Sequence, residues 1–492
     1  MVKGDLNNNF EQVIYFIKGV NVMSENSQSK IYQRKITPIE RLFTRSPFSV
    51  VTMVTRIKGE VTESLLREAI HKAQQRHPNL RVRIREGNDH IPWFTSEGVQ
   101  DIPVVVVPRK SQDDWIHIYA EAAKVPFDFE KRPAIRFFLV HSPEISELII
   151  LCHHIICDGL SLAFLARDLM TLLGDPDRDP PPLPDPQPIS LDNLPDGVSQ
   201  NGLVKYFIER INRQWDGEKI HFDQEDYYSL CEAYWNNFHH EILSIELDEY
   251  QTSRIVDRCR EMGVTVNSAL AAAFVGAQTI IQGDLLNQPT LGSAASVRDR
   301  LNNPETDIMG FYAGVVILKF RYDQSKNFWE NALRLHKKLN PLYTNKNLFK
   351  DFLSWLYLRP AILESINFKK LGGLVPADSP RHEKISGFSK KNDVVLSILK
   401  RDKMESLDRK ILGTAVTNLG RLDFPVRYGE LELERLILQP GGAFPLVNVN
   451  LVLGAVTCSG KLSLVVEFAE EAVGSGIMEK VKHKALELLL AE

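Results

Sequence analysis

Two adjacent histidines followed by an aspartate and a glycine, in the run HHIICDG at positions 153–159, are the residues of this 492-residue chain best suited to chemistry. A neutral imidazole can take a proton from a hydroxyl or an amine near pH 7, because its ordinary pKa lies close to the working pH. Successive side chains of a strand point to opposite faces. If His153 and His154 keep that geometry, they cannot both reach one reaction centre or one metal ion. One is expected to be catalytic and the other structural. Asp158 can serve as partner to an imidazole or as half of an ion pair that fixes the turn. Cys152 and Cys157 bracket the histidines and raise the idea of thiol catalysis. A small, buried, apolar role is the commoner use of such cysteines. The chain has no G-x-S-x-G elbow and no recognisable cysteine nucleophile motif. No C-x-x-C, H-E-x-x-H or comparable ligand cluster supports a metal, and no metal is expected.

The elements that must position this run can be read on either side of it. The apolar segment ELIILC (147–152) suits a buried strand, and LSLAFLARDLMTLL after Gly159 has apolar residues near a 3.6-residue period. A strand-to-helix turn carrying the histidines is therefore predicted. Further strands are predicted at SVVTMVTRIKG (49–59) and AIRFFLV (134–140). A helix is predicted at about 62–77, with Leu65, Leu66, Ala69, Ile70 and Ala73 on one side. Residues 174–197 (GDPDRDPPPLPDPQPISLDNLPDG) are proline-rich and aperiodic, as expected of an extended connector. Beyond it come a strand at 241–247, helices at 248–262 and 265–281, the strands VNVNLVLGAVTC and KLSLVVEFA, and a terminal helix from about 474. The expected organisation is a flexible N-terminal extension (1–35), an N-terminal lobe (36–173), a linker (174–197) and a C-terminal lobe (198–492). The polar run SENSQSK after Met23 also suits a natural start.

HHIICDG resembles the HHxxxDG signature of the chloramphenicol-acetyltransferase-like superfamily, which includes nonribosomal peptide condensation domains and stand-alone polyketide-associated and alcohol acyltransferases. Other stretches resemble that group in the same order: ITPIERLF (36–43), HPNLRVRI (77–84), PFDFEKRPAIRFFLV (126–140), GVTVNSALAAAF (263–274), SVRDRL with MGFYAG (296–314), and TNLGRLDF (417–424). The similarity covers roughly 36–470. It implies an α/β fold of two chloramphenicol-acetyltransferase-like lobes, mixed sheets flanked by helices, around a central tunnel. Donor and acceptor would enter that tunnel from opposite faces and meet at His154, the general base. Asp158 would be an organiser paired with Arg298, Gly159 would let the backbone turn tightly into the next helix, and His153 would be structural. Asn418 falls where the family places a strand near the active centre; a site role and a strand-end role closing a turn with Gly420 stand about even.

The implied reaction moves an acyl group from a phosphopantetheine thioester to an alcohol or amine. No bound cofactor is expected; acyl-coenzyme A or an acyl-carrier protein would be the donor substrate. Thioesters are activated donors, so orientation, removal of one proton and oxyanion stabilisation suffice. The chain lacks the DFGWG motif, reading QPGGAFP at 439–445, which disfavours the plant-type branch. No adenylation or carrier domain flanks the lobes, so a free-standing acyltransferase is expected. The alternative is a catalytically silent domain that docks carrier proteins.

A net charge of −4 argues against a nucleic-acid binder. Five scattered cysteines suit a reducing compartment, and neither a signal peptide nor a transmembrane run is evident. A cytoplasmic monomer is expected. Lys384, Lys390, Lys391, Lys400, Arg401, Lys403, Arg409 and Lys410 form a basic bias that suits a solvated loop better than a carrier-protein or coenzyme A site. The aromatic-rich segment 349–375 suits helix packing better than an acyl-chain lining.

Overall fold

In the computed structural model, residues 31–218, 220–283, 290–304, 307–401, 413–441, 449 and 451–491 are described. The β-branched and aromatic runs form strands β1 (Gln33–Lys35), β2 (Val50–Lys58), β3 (Arg83–Glu86), β4 (Pro92–Thr95), β5 (Val104–Pro108), β6 (Ile135–His141), β7 (Ile145–His153), β8 (His240–Glu246), β9 (Thr290–Ser296), β10 (Ala313–Lys319), β11 (Gly413–Leu422), β12 (Arg427–Tyr428), β13 (Leu431–Gln439), β14 (Leu451–Cys458) and β15 (Lys461–Ala469). They make a mixed six-stranded sheet in the order β12-β13-β2-β7-β6-β5, a second in the order β10-β9-β11-β14-β15-β8, and a small sheet β1-β4-β3. Strand β7 is central in the first sheet, which is why Leu148 to Cys152 are apolar without alternation and fully buried. The helix Glu63–Arg76 buries Leu66, Ala69, Ile70 and Ala73, as its periodicity predicts. Two mixed α/β units flanked by helices result, as expected.

Two expectations need correction, and a third gains detail. The first is the boundary at 198. Strands β12 and β13 lie far beyond the linker, yet β13 pairs antiparallel with β2 (Leu436 opposite Thr55, Gln439 opposite Thr52) and completes the N-terminal sheet. Periodicity marks β13 as a strand but cannot say which edge it covers; leaving β2 open would expose a row of unpaired backbone groups. The second is the extension: Gln33–Lys35 forms β1 against β4, and residues 1–30 lie outside the described residues. The third is the connector. It has no regular element, but Ile189 and Leu194 are buried, and the Leu183 N–H donates to the Arg76 carbonyl (2.8 Å). The Tyr312 hydroxyl donates to the Gln187 carbonyl (3.1 Å). Residues 174–197 are thus an extended connector, largely exposed and pinned to the body at a few points.

Segment 349–375 packs as helices, with Ile362, Phe368 and Leu371 in a core shared with Trp215, Phe222 and Tyr234. Of the basic residues, Lys384 pairs with Asp226 and Lys391 with Glu218; Lys403, Arg409 and Lys410 lie outside the described residues. All five cysteines are free and buried. Among the described residues, no single helix is long and apolar enough to cross a membrane.

Candidate active site

His153 is the last residue of β7 and His154 the first beyond it, so the pleat sends them different ways. His153 is fully buried: its Nε2 faces the Ser46 carbonyl (3.1 Å), its Nδ1 accepts the Ile155 N–H (3.3 Å), and its ring meets Phe127 and Phe129 edge-on. Both nitrogens are engaged. Burial lowers its imidazole to about 3, against the opposing Ser46 carbonyl. An unfolded chain protonates this residue near its ordinary value of about 6.5. The contribution of neutral His153 is therefore complete above that pH and is lost as pH falls toward the folded value. We expect unfolding free energy to fall less steeply between about pH 6 and about pH 4 in His153→Asn than in wild type. Denaturant titrations at stepped pH measure this, and equal slopes would contradict it.

His154 is half-buried, and its Nδ1 faces the Cys157 carbonyl at 3.1 Å. A carbonyl can only accept, so Nδ1 carries the proton and Nε2 keeps its lone pair. Among the described residues no side chain occupies that nitrogen. The rings of Phe43 and Phe311 stand 5.4 Å and 5.5 Å from the imidazole and 4.5 Å from each other, giving it apolar walls from both halves of the chain. Burial lowers the His154 pKa, with the Cys157 carbonyl and Asp158 opposing. Burial also pushes the Cys157 thiol well up, which suits it poorly to nucleophilic attack.

Asp158 is the N-cap of the helix Gly159–Gly174. Its Oδ1 accepts the Ser161 N–H (2.8 Å), the Ser161 hydroxyl (2.8 Å) and the Arg298 Nη2 (2.7 Å), and its Oδ2 accepts the Tyr312 N–H (3.0 Å). Arg298 lies in the short turn after β9, donates to the Ile308 carbonyl and covers the Tyr312 ring at 4.4 Å. Burial would raise the carboxyl, but Arg298 and Ser161 hold it below its ordinary value. A buried ion pair thus joins the histidine turn to the MGFYAG segment.

The resemblance implies a tight backbone turn at Gly159, but its φ is not positive. A Cβ there would lie 3.1 Å from a Leu419 methyl and 3.4 Å from a Leu438 methyl, so side chains of strands β11 and β13 pack closely against it. Asn418, on β11, accepts the Gly420 N–H at 2.8 Å, where Gly420 takes a φ of 75°. Its observed bond is the turn closure; no bond links it to His154. Sequence reading missed Asn79, whose amide donates to the Met309 carbonyl (2.9 Å) and lies 3.5 Å from that of Ile156, and Ser161, whose hydroxyl, donating to Asp158, accepts the Gly310 N–H (3.2 Å). Aspartate followed three residues later by serine is a readable capping signal, although the partner backbone groups are not.

The fold and the buried turn define a two-unit α/β protein with a histidine presented between its halves. The model of the condensation domain matches residues 28–187. A nonribosomal peptide synthetase of Metarhizium robertsii is 24% identical over 315 residues, 62% of this chain and 4% of that protein. A dimodular nonribosomal peptide synthase of Bacillus subtilis is 31% identical over 140 residues, 28% of this chain and 6% of that one. The chain therefore spans a small part of the curated relatives it matches. Among solved structures, the trichothecene 15-O-acetyltransferase of Fusarium sporotrichioides superposes with a TM-score of 0.61 at 14% identity, covering 95% of this chain and 97% of that one. The epimerization domain of tyrocidine synthetase B gives 0.57 at 14% identity, covering 95% and 98%. The chain thus shares the fold of these solved structures, and its residues 28–187 are similar to a condensation domain.

Proposed function

We propose that this protein is an acyltransferase that moves an acyl group from a phosphopantetheine thioester to an alcohol or amine, with His154 as general base. The observation that carries this reading is the tautomer: the Cys157 carbonyl holds the proton on Nδ1, leaving a basic Nε2 on a half-buried ring between two aromatic walls. Nε2 takes the acceptor's proton as its oxygen or nitrogen bonds to the thioester carbon. The resulting tetrahedral oxyanion then collapses, the C–S bond breaks, and the departing thiolate takes the proton from the imidazolium. Apolar walls strengthen the electrostatic interactions of this sequence by excluding water. Asp158 acts through position: with both its oxygens committed to Ser161, Arg298 and Tyr312, it fixes the turn and leaves proton transfer to His154. Coenzyme A and carrier protein are alternative donors, and no cofactor is required.

A panel of acyl thioesters on coenzyme A and on carrier proteins, with pooled alcohols and amines, tests this reading. Acceptor-dependent thiol release with the matching ester or amide in the mass spectrum is expected. A silent docking domain would bind acyl-carrier protein yet release no thiol above background. The lowered pKa of His154 adds a second expectation, because its base form persists below the ordinary imidazole range. The kcat/KM profile should hold at neutral pH and lose its acid limb with an inflection below about 6.5, the ordinary histidine value. An inflection above that value would place the base elsewhere.

A further inference from the structure

We infer that Glu86, His90 and His221 form a site for a zinc-type divalent cation that pins the small sheet to the helical core. One ligand atom from each lies within 4.8 Å of the other two, and Glu86 Oε2 is already 3.0 Å from His221 Nε2. Zinc ligands at about 2.0–2.2 Å in tetrahedral array stand roughly 3.3 Å apart. The third ligand therefore has to close by only about 1–1.5 Å. His90 can do so, since it sits exposed in the turn between β3 and β4, where its N–H donates to the Gly87 carbonyl at 3.0 Å.

The other two ligands are held by buried neighbours. Glu86 ends β3 and accepts through its other oxygen, Oε1, from the buried Arg45. His221 precedes Phe222, which is buried and stacked on Phe368 with ring centroids 3.8 Å apart and planes 3° from parallel. His90 is a non-glycine residue at φ 55°, a left-handed conformation, and this turns its ring onto that of His221 at 4.1 Å. Arg45 is a cation beside the site and weakens it, but Glu364 shares its charge. Two imidazoles and one carboxylate suit zinc and other first-row divalent ions better than calcium or magnesium, which prefer all-oxygen sets. His221 also lines an open cleft of about 520 Å³ that Lys384 and Lys391 flank; with three protein ligands, water is the fourth that zinc would take.

No metal was expected from the sequence because no compact ligand motif occurs. Glu86 and His90 are close in the chain, but His221 joins them only through the fold. Nothing in the site touches His154, so this inference stands apart from the acyltransferase reading.

Untagged, metal-stripped protein should be titrated with zinc chloride against a chromophoric chelator, and loaded with cobalt(II) for absorption spectroscopy. Wild type should take up one zinc per chain, show the visible bands of four-coordinate cobalt, and melt at a higher temperature with zinc than without. His90→Ala, at an exposed turn, should fold normally, bind zinc about a hundredfold more weakly or worse, and lose the zinc-dependent rise in melting temperature. His221→Ala should match it. Zinc uptake unchanged in both variants, or no uptake by wild type at micromolar zinc, would overturn the assignment.

Discussion

Replacing His154 with alanine lowers acyl transfer by about two to four orders of magnitude, the range for removing a positioned general base, and leaves the melting temperature close to that of wild type. The two halves of this expectation have separate causes. The rate falls because Nε2 is the group with a free lone pair at the turn, whereas His153 has Ser46 on one nitrogen and Ile155 on the other and cannot substitute. Stability changes little because the half-buried ring makes one hydrogen bond, to Cys157, and otherwise touches Phe43 and Phe311. Single-turnover assays with limiting donor measure the rate, and a thermal melt measures the fold. A mutant within threefold of wild type at an unchanged melting temperature would remove His154 from the chemistry.

Replacing Asp158 with alanine is expected to cost about 3–5 kcal/mol of stability, the usual result of stranding one member of a buried pair. Three losses act together. Arg298 keeps its charge in a site where both side chains are nearly inaccessible; the helix Gly159–Gly174 loses its N-cap; and the Tyr312 N–H loses its acceptor. Because Arg298 is the larger part, Asp158→Ala with Arg298→Met should cost less than the sum of the single changes. Activity should fall as well, since the same bonds hold the MGFYAG segment, and with it Phe311, against the histidine turn. Urea midpoints at constant slope provide the comparison. An unchanged midpoint in Asp158→Ala would show that the pair does not hold the lobes together.

What could be read in the sequence was mostly local. The strand, turn and helix around HHIICDG follow from a seven-residue span and two flanking hydrophobic patterns, and β7 and the helix Gly159–Gly174 lie where those patterns put them. Opposite orientations for the two histidines follow from the pleat alone. The Asp158–Arg298 contact could not be derived this way, because 140 positions separate the partners; family resemblance named it. Placing β13 beside β2 needed the fold, since a strand's pattern carries no address. The expectation for Gly159 fails because its φ is not positive, and a glycine packed against neighbouring methyls looks, in sequence, like one chosen for its own φ. Asn79 and Ser161 leave no such signal because they bond backbone groups of Met309 and Gly310, which have no residue-type signature.

The proposed reaction is direct transfer from thioester to acceptor on a histidine base, with no acyl-protein intermediate. The most direct test mixes wild-type protein with a reactive acyl thioester and follows thiol release and intact protein mass, first without acceptor and then with it. The account predicts no burst and no added mass in the first phase, followed by thiol appearing in step with acylated acceptor. A stoichiometric burst with an acylated protein would contradict it.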